Sequence, residues 1–172
     1  EMNDMAKAKT AVAVAEEVTD VVSKPTQWDV GWTDYVLSFL TEDELIKGNP
    51  TTDGLRRVFE GVLNCKVINC STHIEQSPTP ENSQRATVVV TLVYNDANGT
   101  RISIDGASDA FWGNTDKIFR NHPVAVAETK AEGRALRRAL KLRKVITADE
   151  VAEDVVELDG ASADKIDPSQ IE

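Results

Sequence analysis

The stretch Ala86–Ser108, ATVVVTLVYNDANGTRISIDGAS, decides the fold of this chain of 172 residues. Its first nine residues are nearly all apolar or Thr, and its last nine alternate apolar and polar residues through Ile102 and Ile104. Both patterns are typical of β-strands. The intervening NDANG offers Gly99 for a positive φ, so the two strands are predicted to form an antiparallel hairpin.

The sequence on either side of this hairpin predicts one more strand and three helices. CKVINCSTHIE, residues 65–75, is rich in β-branched residues and reads as a strand that precedes the hairpin. Earlier in the chain, WDVGWTDYVLSFL and TDGLRRVFEGVL have apolar residues at helical spacing, and Thr52 or Asp53 can cap the second helix. The longest helix is predicted over His122–Lys144.

The order of these elements predicts an α+β protein: a three-stranded antiparallel β-meander with helices packed on one face. We expect a single core domain over residues 25–146. Residues 1–24 contain few large apolar side chains and are expected to form a flexible arm. Residues 147–172 are expected to form an acidic, disordered tail.

Charge is distributed very unevenly along the chain. The formal net charge is -10, yet nine Lys or Arg and only two Glu lie between residues 117 and 144. Residues 145–172 contain nine Asp or Glu and a single Lys. The chain therefore carries a basic element followed by an acidic segment.

The basic residues of the last predicted helix share one face at 3.6 residues per turn. The row runs for about 21 Å and consists of Lys130, Arg134, Arg137, Arg138, Lys141 and Lys144. None of the six has Asp or Glu three or four positions away. A row that merely contacts solvent normally mixes both signs, because like charges at this spacing repel. We therefore expect the row to bind phosphates, and nucleic acid fits better than a lipid surface, since the opposite face is mostly Ala.

The hairpin and the last helix together resemble a known family. ATVVVTLVYNDANGTRISIDGASDAFWG followed by AVAETKAEGRALRRALKL is similar to the core of the single-strand annealing proteins of the Rad-fifty-two group, and DGLRRVFEGVLNCKVINC would match the helix and strand before it. The resemblance covers residues 50–145. The turn DGASD has less Gly than is usual in the family.

This resemblance implies a β-β-β-α fold, assembly into rings or helical filaments, and annealing of complementary strands of single-stranded DNA without ATP. On the matching helix, the DNA-binding cations of the family would fall on Arg137, Arg138 and Lys141. Arg56 and Arg57, in the earlier helix, are further DNA-binding candidates. A small recombination protein of phage or plasmid type fits the length, and we expect it in the cytoplasm.

Residues that could support catalysis or a metal site are scarce. The chain has two His and two Cys without the paired spacing of a zinc site, and no GxxxxGK[ST] loop for a nucleotide. Asp105 and Asp109 are more typical of turn chemistry than of a cation site. We therefore expect no enzymatic activity, no cofactor and no metal. No apolar run approaches the roughly 20 residues of a membrane-spanning helix.

Two questions stay open from the sequence. The acidic segment can be a solubilising tail, can fold back on the basic helix in place of DNA, or can recruit a partner protein. The basic helix can also belong to a protein-interaction adaptor or inhibitor that docks on an acidic partner surface. Ring formation and DNA binding would distinguish annealing from the adaptor function.

Overall fold

The structure, a computed structural model, describes residues 23–151. The predicted N-terminal arm and residues 152–172 of the predicted acidic tail lie almost entirely outside the described residues. Within the described part, the main elements are α1 (Trp32–Leu37), β1 (Leu45–Ile46), β2 (Asn49–Pro50), α2 (Thr52–Arg57), β3 (Lys66–Gln76), β4 (Ala86–Asn95), β5 (Arg101–Ala110) and α3 (Pro123–Ala139). No helix of this part is long and apolar enough to cross a membrane.

The predicted meander is confirmed. β3, β4 and β5 form one antiparallel sheet in that order. The β4–β5 hairpin pairs without interruption from Ala86 opposite Ala110 to Asn95 opposite Arg101. Its turn places Gly99 at a φ of +80°, which suits a residue without a Cβ. The remaining strands, β1 and β2, form a separate two-residue hairpin.

The core lies between the sheet and α3. Alternate residues of β4, from Ala86 to Tyr94, are buried because α3 covers that face of the strand. The opposing surface of the helix is made of Ala127, Ala131, Ala135, Leu136 and Leu140. These small residues let the helix approach the sheet closely, as the Ala-rich face of the sequence predicted. The α+β class is therefore confirmed.

The two earlier helices pack beside this core. Thr51 caps α2 through its side chain, which accepts from the Gly54 N–H at 3.1 Å, so the cap lies one residue before the predicted Thr52. A π-helical turn, Val58–Val62, continues α2 and buries Phe59 edge-to-face against Tyr94 at 4.8 Å. The chain then enters β3 directly.

Helix α3 begins at Pro123, one residue after the predicted start, with His122 as its N-cap, but ends at Ala139 instead of Lys144. Lys141 adopts a φ of +56°, and its N–H donates to the Arg138 carbonyl while the Leu142 N–H donates to the Arg137 carbonyl. These two bonds form a Schellman C-cap, a motif that usually has Gly where Lys141 stands. The missing Gly explains why the sequence pattern ran past the true end of the helix.

The start of the predicted acidic tail is part of the folded domain, and the predicted boundary at residue 147 was wrong. Thr147 is completely buried, and a short 3-10 turn follows at Ala148–Glu150. Asp149 accepts from the N–H and the hydroxyl of Thr52 at 3.0 and 2.7 Å. Thr147 fits against α3 at Gly133, where an added Cβ would lie 3.0 Å from the Thr147 methyl carbon. These contacts extend the domain to at least residue 151.

Candidate nucleic-acid interface

The six cations of the predicted row do not form one solvent-exposed row. Lys130 is only 6% exposed and donates from Nζ to the Asn114 carbonyl at 2.9 Å. Burial lowers the pKa of Lys130, although Asp109, Asp116 and Glu150 favour its charged form. The prediction that Lys130 lies on the outer face was wrong, because its long side chain folds back toward the Asn114 loop.

Arg134 and Arg137 share an anion that lies further along the chain. Glu150 is 2.6 Å from Arg134 Nε and 2.7 Å from Arg137 Nη2. Arg137 also donates to the Val145 carbonyl. The expectation of a row without anions was therefore wrong for these two residues. The chain reverses after α3, and this reversal brings Glu150 over the helix.

Glu150 is held as an anion in spite of its surroundings. Burial alone would raise its pKa, but hydrogen bonds from Arg134 and Thr147 and the charge of Arg137 hold the pKa of Glu150 below its usual range. Arg137 is affected in the opposite sense, since burial lowers its pKa and Glu150 opposes that effect. The two charges are interdependent, which is typical of a structural ion pair.

Arg138 is exposed, yet it too contacts the fold. Its Nη1 donates to the Asp105 carbonyl at 2.6 Å, and Arg134 Nη1 donates to the Ala107 carbonyl at 2.7 Å. Both carbonyls belong to β5, an edge strand of the sheet. Arg134 and Arg138 stand one turn apart on α3, so their side chains reach over the same strand edge.

The cations after the helix are the exposed ones. Lys141, Arg143 and Lys144 are exposed, and within residues 23–151 their side chains make no hydrogen bond or ion pair. Three contacts fix the backbone that carries them: Trp32 Nε1 donates to the Leu140 carbonyl at 2.7 Å, the Arg143 N–H donates to Thr33 Oγ1 at 3.1 Å, and Arg137 reaches Val145. We call Arg138, Lys141, Arg143 and Lys144 the basic end of α3.

The basic end of α3 contains two lysines in a conformation that favours glycine. Lys141 and Lys144 both have a φ of +56°. A side chain in the left-handed region costs about 1–2 kcal/mol relative to Gly. Strained backbone of this kind is a reason to look for a functional role, because Gly at the same position would avoid the steric cost.

We expect Lys141→Gly to raise the free energy of unfolding by about 0.5–1 kcal/mol, since the steric cost that it removes at positive φ exceeds the opposing gain in unfolded-state entropy. Denaturant unfolding measures this difference. Lys141→Ala is the control, because it removes the charge but retains the Cβ and should bring no such gain. An equal gain from both substitutions would mean that charge repulsion, not backbone strain, limits this turn.

The two candidates of the earlier helix are paired with carboxylates. Arg57 binds Glu44 through Nε and Nη2 and also donates to the Phe39 carbonyl at 2.7 Å. Arg57 lowers the pKa of Glu44 to about 2. Arg56 Nε lies 2.8 Å from a Glu132 carboxylate oxygen. Both arginines therefore connect parts of the fold, and neither extends the basic end of α3.

The predicted row of cations thus divides into residues that make contacts within the fold and residues that remain exposed. Arg143 was not among the predicted DNA-binding residues. The contacts that Asp149 and Glu150 make within the fold were not predicted from the sequence. The motif TADE at residues 147–150 was a signal for them, because Thr followed three residues later by Glu is a capping box. A capping box implies an ordered turn where a tail was expected.

No group of three or more metal-ligating side chains occurs within the described range 23–151. Among known proteins, no family model matches the chain, and no curated protein or solved structure is similar to it. The fold defines an α+β protein with a three-stranded meander and a long helix. The contacts and charges of its residues are therefore the basis for a function.

Proposed function

We propose that this protein binds single-stranded DNA at the basic end of α3 and anneals complementary strands without ATP, as a member of the single-strand annealing proteins. The observation that carries the proposal is the group of four exposed cations within seven residues, Arg138–Lys144, on a backbone fixed by hydrogen bonds. The confirmed order of three antiparallel strands and a long helix agrees with the resemblance.

The basic end of α3 is better suited to binding a chain of phosphates than to contact with solvent alone. Each phosphate that a cation neutralises releases a condensed counterion, so several neighbouring cations bind cooperatively to a polyanion and weakly to a single anion. The rest of the chain is strongly acidic, since the whole carries -10 in spite of the basic element. Long-range repulsion therefore confines a nucleic acid strand to the basic end.

The structure narrows the set of residues expected to contact DNA. Lys141, Arg143 and Lys144 are available without breaking any described contact, and Arg138 would exchange one backbone hydrogen bond. Arg134, Arg137, Arg56 and Arg57 would each have to give up an ion pair. Lys130 would have to leave a buried site.

Assembly is part of the proposal. Four cations can neutralise about four phosphates, which is a short segment for annealing. Several copies set side by side would extend the basic surface along one strand, as in the rings or filaments that the resemblance implies. Single-stranded DNA is therefore both ligand and scaffold in this proposal.

The test is binding of a fluorescently labelled oligothymidine, followed by anisotropy at several salt concentrations. We expect Lys141→Ala, Arg143→Ala and Lys144→Ala combined to weaken binding about tenfold or more and to lower the slope of log affinity against log salt by up to about two. The unmodified protein should bind single strands more tightly than duplex and should accelerate pairing of complementary oligonucleotides without ATP.

The matched control removes three other exposed lysines, Lys24, Lys47 and Lys117, and so makes the same change in net charge. It should retain most of the affinity. Equal loss in both triple variants would mean that binding depends on overall charge and not on the basic end. An unmodified, folded sample that ignores oligonucleotides at low salt would contradict the proposal and favour an adaptor for an acidic protein surface.

A further inference from the structure

The two outer strands of the sheet differ in how their edges are protected. An edge strand presents unpaired N–H and C=O groups to which another strand can be added. On β5, Arg134 and Arg138 donate to the carbonyls of Ala107 and Asp105, so two backbone acceptors of that strand are occupied by side chains. Arginine side chains laid over a strand in this way hinder pairing with another chain.

β3 has no arginine laid over its edge within the described residues, although its pairing with β4 is irregular between Val67 and Asn69 and between Ile74 and Gln76, so the regular stretch is Asn69–Ile74. The whole strand is 11 residues long, and every residue except the half-buried Val67 is exposed. α3 covers β4 and β5 and reaches β3 through a hydrogen bond from the Thr72 hydroxyl to Glu128, but it leaves Ile74 largely uncovered. Ile74 lies opposite the buried Val88 on the helix side of the sheet, yet it is 44% exposed. Ile68 is exposed to the same extent.

The sequence of β3 favours pairing. Residues 67–74, VINCSTHI, include three β-branched aliphatic residues, and with His73 neutral they carry no charge and no Pro. Long, uncharged edge strands of this composition are the ones that add to other strands. The charged residues lie at the two ends, Lys66 at the first position and Glu75 near the last.

We propose that β3 pairs antiparallel with β3 of a second copy of this chain, forming a two-fold dimer with a continuous six-stranded sheet. A second copy supplies an edge of matching length, whereas its β5 is occupied by Arg134 and Arg138. Antiparallel pairing also brings Lys66 of one copy to the strand end that carries Glu75 of the other, and opposite charges across strands are favourable.

The two-fold axis restricts the register. An axis that relates two antiparallel copies of one strand runs perpendicular to the sheet and passes midway between a residue and the same residue of the second copy, so both α3 helices lie on the same side. Ser71 is the midpoint of β3. Centring the pairing there brings Ile68, the extra residue at the irregularity after Val67, near Ile74 of the second copy, twice, so both exposed isoleucines are partly covered.

This dimer goes beyond DNA binding and does not depend on it, because the proposed DNA contacts lie in the last turn of α3 and just after it, and not on β3. An isologous dimer is a closed unit. Rings or filaments of the protein would then be built from dimers through other surfaces.

Disulfide crosslinking in the full chain tests the proposal without DNA. Ser71→Cys, made together with Cys70→Ser, places two thiols directly across the axis, where Cα atoms of paired strands are about 4.5–5.5 Å apart. This separation suits a disulfide. Mild oxidation should therefore give a covalent dimer in high yield. The control is Ser103→Cys in the same background, an exposed serine on β5, which should stay monomeric on a denaturing gel.

Charge substitution provides a second measurement by analytical ultracentrifugation. Ile68→Lys combined with Ile74→Lys should weaken the dimer at least tenfold, whereas Ile118→Lys, an 82% exposed isoleucine on another surface, should leave it unchanged. Both proteins should keep the far-ultraviolet spectrum of the parent. A protein that is monomeric at all concentrations, or equal crosslinking through residues 71 and 103, would overturn the proposed dimer. The oligothymidine titration would be unaffected by either result.

Discussion

Gly106→Ala is expected to lower the free energy of unfolding by about 3 kcal/mol or more, because the added Cβ meets a closer contact here than at any other described glycine. Gly106 lies in β5 under the middle of α3. An added Cβ would stand 2.1 Å from the Ala131 carbonyl oxygen and 2.5 Å from the Ala135 backbone nitrogen. Neither atom can move alone, because both belong to helix backbone. The helix would have to lift from the sheet and open the core that its small residues fill.

Urea unfolding with two independent probes measures this effect. The matched control is Gly61→Ala, since Gly61 lies in the π-helical turn after α2 with no atom within 4 Å of an added Cβ. It should be neutral or stabilising by up to about 1 kcal/mol, as Ala favours helical backbone. If both variants were equally stable, α3 would have to sit farther from β5 than described.

Glu150→Gln is expected to lower the free energy of unfolding by about 2 kcal/mol, and Glu150→Ala by about 3 kcal/mol. The glutamine retains hydrogen-bonding oxygen but loses the charge that balances Arg134 and Arg137. Arg137 is half-buried and would remain charged without its carboxylate. The alanine also removes the capping contact with the Thr147 N–H. Glu60→Gln, an exposed glutamate of the π-helical turn, should change stability little.

The same residue should contribute to the acid sensitivity of the protein. The pKa of Glu150 is lowered in the folded state, so its stabilisation is present above the ordinary value of 4.5 and is lost as pH falls below it. Glu44 acts in the same direction, with a folded pKa of about 2. Thermal unfolding between pH 3 and 7 should therefore show a smaller decline for Glu150→Gln than for the parent. Parallel curves would contradict an ionised Glu150 in the folded protein.

The ion pairs of Glu150 change the interpretation of the cations on α3. A row of six cations without anions indicated a continuous phosphate-binding face, whereas Glu150 joins Arg134 to Arg137, and Lys130 is buried. For the described part, the cations divide between holding the fold and facing solvent at the basic end of α3.

The sequence by itself determined the sheet and the existence of the long helix. Both follow from local rules: alternation and β-branching specify β3, β4 and β5, Gly99 specifies their turn, and the Ala and Leu spacing specifies the buried face of α3. The sequence also located the charge asymmetry, which is a matter of counting. These features depend on residues that are only a few positions apart in the chain, so a single sequence is enough to predict them.

The tertiary structure alone decided where α3 ends and which cations are free. The helix ends at Ala139, where Trp32, more than 100 residues earlier in the chain, donates from Nε1 to the Leu140 carbonyl and Lys141 takes a conformation usual for Gly. The chain reversal that follows brings Glu150 back to Arg134 and Arg137. Helical spacing predicts which residues share a face, but an ion pair depends on distance in space, and that distance is set by how the whole chain packs.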